Sequence, residues 1–190
     1  MNPTTFAAVS ARFSSVLAGI EASVDARAQS VDQAMAAALD LLATLRDQHG
    51  SVLIIGNGGS AAVAAHIQND LVNKGRLRAQ VLHEPSLMSC MSNDYGYEQA
   101  FSRLVGHYAR PGDVLIAISS SGQSANILAA VEAADQAGAS VLTLSGFSAD
   151  NRLRRLGRIN FWSPSADYGE VEISHLFVLH ALADALAERA

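Results

Sequence analysis

Ser51-Val52-Leu53-Ile54-Ile55-Gly56-Asn57-Gly58-Gly59-Ser60-Ala61-Ala62 decides the fold: an apolar, β-branched run passes through a glycine loop into an alanine-rich segment. A second stretch, Asp113-Val114-Leu115-Ile116-Ala117-Ile118-Ser119-Ser120-Ser121-Gly122-Gln123-Ser124, repeats the pattern with serines in the loop. Short apolar runs bounded by turn residues read as strands buried on both faces of a parallel sheet. In an open α/β sheet, ligands settle beyond the carboxyl ends of such strands. Small loop residues let the backbone approach a phosphate closely, while N–H groups at the helix start and serine hydroxyls supply donors. No lysine is needed for this, and neither loop ends in the Gly-Lys-Ser/Thr of a P-loop.

Each loop taken alone also reads as a strand-to-helix turn capped by serine. Two of them in one small domain favour a phosphate site. Gly56, Gly58 and Ala61 satisfy a loose dinucleotide pattern with Glu84 as a distant ribose acid. A dinucleotide fold has no use for the second loop, whose four serines suit a terminal phosphomonoester.

The chain of 190 residues is long enough for one α/β domain with a helical extension and a substantial core. Its net charge of -5 provides no general attraction to nucleic acid or anionic membrane, so a small molecule or another copy of the chain is the expected partner. The single cysteine, Cys90, excludes an intramolecular disulfide and multi-cysteine zinc sites, and reads as core filler. No basic segment leads into an apolar targeting core, and no apolar run approaches the ~18 residues of a membrane span, so the cytoplasm is the expected location.

Phe6, Val9, Phe13, Val16 and Ile20 recur at helical spacing, as do Val31, Met35, Ala38, Leu42 and Leu45 after a polar interval at 26–30. Two amphipathic helices therefore precede the first strand. The first has no strand before it, so its stripe either caps the core or packs on the same stripe of another subunit. Strands and helices then alternate to a long C-terminal helix from about residue 170, which predicts right-handed crossovers and a parallel sheet of about five strands covered on both faces.

His66 and Asp70 lie four apart on the helix after the first loop, on one face. Glu172, His175 and His180 lie on the last helix, with Glu172 and His180 eight apart and pointing in similar directions. Both segments are otherwise strongly apolar, where an ionisable group needs a partner, a metal or a catalytic task. Two histidines and two carboxylates also form an acceptable ligand set for a first-row divalent ion. Composition leaves metal binding and acid–base work both open.

The GNGGSAA loop at 56–62, His66, the SNDYGYEQAFSR segment at 92–103, the SSSGQSANI segment at 119–127, and His175 with His180 occur in an order that resembles the sugar isomerase (SIS) domain family, and within it the phosphoheptose isomerases. The resemblance runs nearly end to end. It implies a three-layer α/β sandwich on a five-stranded parallel sheet, formed as one domain over residues 1–190. Residues 1–48 would be a helical oligomerisation extension of a homotetramer with active sites at subunit interfaces. Carried over by position, Ser60, Ser119, Ser120, Ser121 and Ser124 with Gly58 would hold the phosphate, and Asn57 and Asp94 would contact sugar hydroxyls.

In the family, a glutamate and a last-helix histidine form the acid–base pair, and zinc is held by these two, a histidine and a glutamine. Here Asp70 and His180 stand as the pair, while His66, Asp70, Glu172 and His180 stand as the metal set. Asp70 is one methylene shorter than the family's glutamate. Glu172 brings a carboxylate, and a possible substrate contact, where the family has an amide. The implied reaction interconverts sedoheptulose 7-phosphate and glycero-manno-heptose 7-phosphate by a 1,2 proton shift through an enediolate. Two other readings lie within the same family: a non-catalytic tetrameric binding protein, of which one kind binds the replication initiator DnaA, and a phosphosugar sensor.

Overall fold

The computed structural model describes residues 5–189. Helix α1 (Phe6–Ala18) is capped by the Thr5 hydroxyl, which accepts from the Ala8 N–H. Helix α2 (Val31–Asp47) opens on a reciprocal capping box between Ser30 and Gln33. Between them the polar interval forms a hairpin of β1 (Glu21–Val24) and β2 (Arg27–Gln29), which periodicity does not reveal. Its two turn residues, Asp25 and Ala26, both have positive φ, as a twist-compatible two-residue hairpin requires. Asp-Ala lacks the asparagine or glycine that normally announces such a turn.

The remaining elements alternate. They run β3 (Ser51–Gly56), α3 (Gly59–Asn73), β4 (Arg78–Val81), α4 (Pro85–Tyr95), α5 (Tyr97–Tyr108), β5 (Val114–Ser119), α6 (Ala125–Gln136), β6 (Ser140–Ser145), a 3-10 turn (Leu153–Arg155), β7 (Ile159–Trp162) and α7 (Tyr168–Glu188). The sheet order is β2-β1-β7-β6-β5-β3-β4, with the five strands β3 to β7 parallel, as expected. The hairpin adds two antiparallel strands beyond β7 and so raises the count to seven.

Successive residues of the central strands enter opposite cores, which is why their sequences are continuously apolar. Val52 and Ile54 pack with Leu42 of α2, Ile67 and Leu71 of α3, and Leu182 of α7. Leu53 and Ile55 pack with Phe101 and Leu104 of α5 and Ile127 and Val131 of α6. Two sequence expectations are corrected here. Cys90 is exposed, because Leu87, Met88 and Met91 turn the inner face of α4 to the core and leave Cys90 outside. Glu84 is a helix cap whose carboxylate accepts the Leu87 N–H, not a ribose acid.

The chain leaves β3 toward β4 on one side and returns to β5 on the other, so β3 and β5 flank a topological switch point. Asp113 fixes their relative level from the opposite end. Its buried carboxylate accepts the Ser51 N–H at 2.8 Å and the Arg110 N–H at 2.9 Å. Asp113→Ala strands both donors and is expected to cost about 2 kcal/mol or more, read as a lower midpoint in urea unfolding. Asp113→Asn, which retains one acceptor, is expected to lose less.

Candidate functional site

The carboxyl ends of β3 and β5 open into a cavity of about 360 Å³, lined by the loop at 57–60, residues 118–121, Ser124, Tyr168 and Glu172. Helices α3 and α6 both start at this cavity, on opposite faces of the sheet. Their unpaired N–H groups and positive dipole ends therefore meet there. Gly58 sits at φ 53°, ψ -121°, a conformation that needs no side chain. A Cβ on Gly59 would lie 2.1 Å from the Glu172 carboxylate, so a larger residue there would push that side chain away from the start of α3.

The hydroxyls are arranged for a guest. Ser119 donates to Ser124 at 3.2 Å, and Ser124, at the start of α6, makes no capping bond of its own. Ser121 accepts the Gln123 N–H. Ser60 is buried, and Ser120 is buried with no partner for its hydroxyl. A buried hydroxyl without a partner is costly unless a ligand completes it. Asn57 is locked by a reciprocal pair of 2.9 Å hydrogen bonds with Asn126 and by the Tyr97 hydroxyl at 2.7 Å. Asn126, Tyr97 and Tyr168 were not among the sequence candidates, although the first two lie within the quoted motif segments.

Asp94 is not brought to this cavity. It lies exposed on α4, where Asn93 and the Cys90 thiol donate to its carboxylate.

A second cluster forms where α3 packs along α7. Ligand atoms of His66, Asp70 and His180 all lie within 4.8 Å of one another, with His66 exposed, Asp70 buried and His180 half-buried. His180 Nδ1 is 2.8 Å from Asp70 Oδ2, and the two imidazole centroids are 4.9 Å apart, edge to face. Two imidazoles and one carboxylate with room for a further ligand suit a first-row divalent ion, zinc included. Glu172 stands apart from this group. It lies two helical turns, about 12 Å, before His180 and lines the cavity at the ends of β3 and β5 instead.

A sequence model of the SIS domain matches residues 17–146. The phosphoheptose isomerase of Burkholderia pseudomallei is 39% identical over 173 residues, which span 82% of this chain and 86% of that protein. Among solved structures, the phosphoheptose isomerase of Francisella tularensis superposes with a TM-score of 0.82 at 26% identity, covering 99% of this chain and 100% of that one. That of Neisseria gonorrhoeae gives 0.81 at 28% identity, covering 95% and 94%.

His175, the remaining histidine of α7 singled out from the sequence, supports the serine loop from behind. Its Nε2 meets the Ser145 carbonyl at 3.0 Å, and the adjacent Gly146 N–H donates to the Ser120 carbonyl at 2.9 Å. Burial pushes the His175 imidazole down from 6.5 to about 4, so the folded chain holds it neutral and donating to Ser145. Between these two values the unfolded chain binds more protons. Stability is therefore full above pH 6.5 and falls as the pH drops toward 4, by about 3 kcal/mol from this group. Chemical unfolding across that window is expected to show this slope, and His175→Gln to flatten it.

Proposed function

The chain belongs to the SIS domain family, and we propose that it is a phosphosugar aldose–ketose isomerase acting on sedoheptulose 7-phosphate. The observation that carries this reading is Ser120, whose hydroxyl is buried without a partner in a cavity where two helices begin. A phosphate there is held by Ser60, Ser119, Ser120, Ser121 and Ser124 and by backbone N–H groups of the two helix starts. Asn57, already fixed by Asn126 and Tyr97, and Glu172 take hydroxyls of the carbon chain. Binding energy gathered at the phosphate orients carbons that lie well away from it.

Asp70 is the base and His180 its acid–base partner. Asp70 takes the C1 proton of the ketose while His180 gives a proton to the developing oxyanion at O2. The enediol then collapses the other way. His180 recovers a proton as the C1 carbonyl forms, and Asp70 returns one to C2 to give the aldose. His66, Asp70 and His180 are the residues that would hold a divalent ion, and such an ion would supply polarisation of the carbonyl oxygen.

Incubation of the purified protein with sedoheptulose 7-phosphate in deuterium oxide is expected to yield an aldoheptose 7-phosphate carrying deuterium at C2 by NMR. Binding without turnover would overturn catalysis in favour of a binding protein or sensor. Ser120→Ala is expected to weaken sugar phosphate binding about tenfold by calorimetry without lowering the melting temperature, because its hydroxyl has no partner to lose. Unchanged affinity would refute the phosphate assignment.

The same reading makes the chain a homotetramer built on residues 1–48 together with α3 and α7. Helix α1 buries only Val16, and Phe6 is 86% exposed. On α7, Ile173 and Phe177 are more than half exposed, and Val72 of α3 is exposed as well. Apolar side chains this open mark a surface that another subunit covers. Light scattering at micromolar concentration is expected to give a tetramer mass, and Phe177→Glu a smaller species. A monomer mass for the unmodified chain would rule the assembly out.

A further inference from the structure

Asp70 has a second neighbour besides His180. The Lys74 ammonium lies 3.3 Å from Asp70 Oδ2, the same oxygen that meets His180 Nδ1. Lys74 also donates to Asp184 Oδ1 at 2.9 Å. These four residues form a square across the α3–α7 contact. Lys74 caps α3 one turn after Asp70, His180 and Asp184 are one turn apart on α7, and each faces a partner on the other helix. The Lys74 backbone is held at this corner, where its N–H closes the end of α3 on the Asp70 carbonyl at 2.8 Å, while its half-exposed side chain can move between the two carboxylates.

A divalent ion shared by His66, Asp70 and His180 has to use the Asp70 carboxylate, which already has a fixed positive charge beside it. Cation and ammonium repel at this range, an interaction that water at the half-exposed Lys74 weakens and the burial of Asp70 preserves in part. We infer that Lys74 is a built-in counter-ion that competes with a divalent cation for Asp70, with Asp184 as the carboxylate onto which it withdraws when the cation binds. Lys74 is then a positioning residue, since it acts through Asp70, and Asp184 sets how readily it lets go. The inference rests on reading His66, Asp70 and His180 as a cation site, and does not depend on which sugar the enzyme turns over.

The test titrates the purified full chain with zinc ion alone in a calorimeter. Lys74→Met and Lys74→Gln are each expected to tighten zinc binding by about tenfold or more, because both remove the charge. Lys74→Arg, which keeps the charge, is expected to bind as the unmodified chain does. Asp184→Asn, which removes the withdrawal site, is expected to bind several-fold more weakly, and His66→Ala to lose the site. Binding by the Lys74→Met protein alone, with none by the unmodified chain, also supports the inference. It is overturned if the neutral variants bind no more tightly, if neither they nor the unmodified chain binds zinc, or if His66→Ala binds normally and the ion sits elsewhere. Failure of the unmodified chain to isomerise sedoheptulose 7-phosphate would remove the substrate assignment and leave this ordering of affinities to be read independently.

Discussion

The packing of α3 along α7 is the constraint on which the rest of the site depends. Val63, Ala64, Ile67 and Leu71 of α3 share one core with Val178, Leu179, Leu182 and Leu186 of α7. Burial of these side chains sets the register of the two helices, and the register then places polar groups that attract one another little at long range. At one end it sets Glu172 against Gly59. Further along it sets His180 against Asp70 and Asp184 against Lys74. An apolar contact thus decides the geometry of a polar site, which is economical because the hydrophobic term is large and non-directional while hydrogen bonds then select within the placement it permits.

The cavity between the two loops is built differently from a lysine-lined phosphate site. Its lining contains no cationic side chain, and its one charged member is Glu172. Two helix starts and a set of hydroxyls offer it donors that would require little reorganisation on meeting an anion. Asp113 contributes from the far end of the sheet by holding β3 level with β5, so that the two loops emerge side by side. His175 and Gly146 brace the serine loop from behind through Ser145 and Ser120.

The two carboxylates that depart from the family pattern part company in the structure. Asp70, although shorter than a glutamate, still meets His180 at 2.8 Å. Glu172 stays with the cavity between the two loops, so the carboxylate at that position lies outside the histidine cluster. Like charges are thereby kept apart, and the cavity holds an acceptor suited to hydroxyl groups.

Much of this was legible in the sequence, because the relevant signals are local. Continuous apolar runs announced the buried strands, helical spacing announced α1 and α2, and the glycine and serine loops announced where the strands end. Four-residue spacing also put His66 and Asp70 on one face. Local pattern could not reveal the hairpin at Glu21–Gln29, whose Asp25–Ala26 turn carries no glycine or asparagine and is held by pairing with β7. Nor could it show that Cys90 faces outward, since one cysteine on a mixed helix has no periodicity of its own. Glu172 and His180 share a helix face in sequence, yet a face is a direction and not a position. Only the register of α7 against α3 decided that His180 joins His66 and Asp70, that Glu172 joins the glycine and serine loops, and that Lys74 meets Asp184. That register is set by side chains packed between segments about a hundred residues apart, which spacing along one chain does not encode.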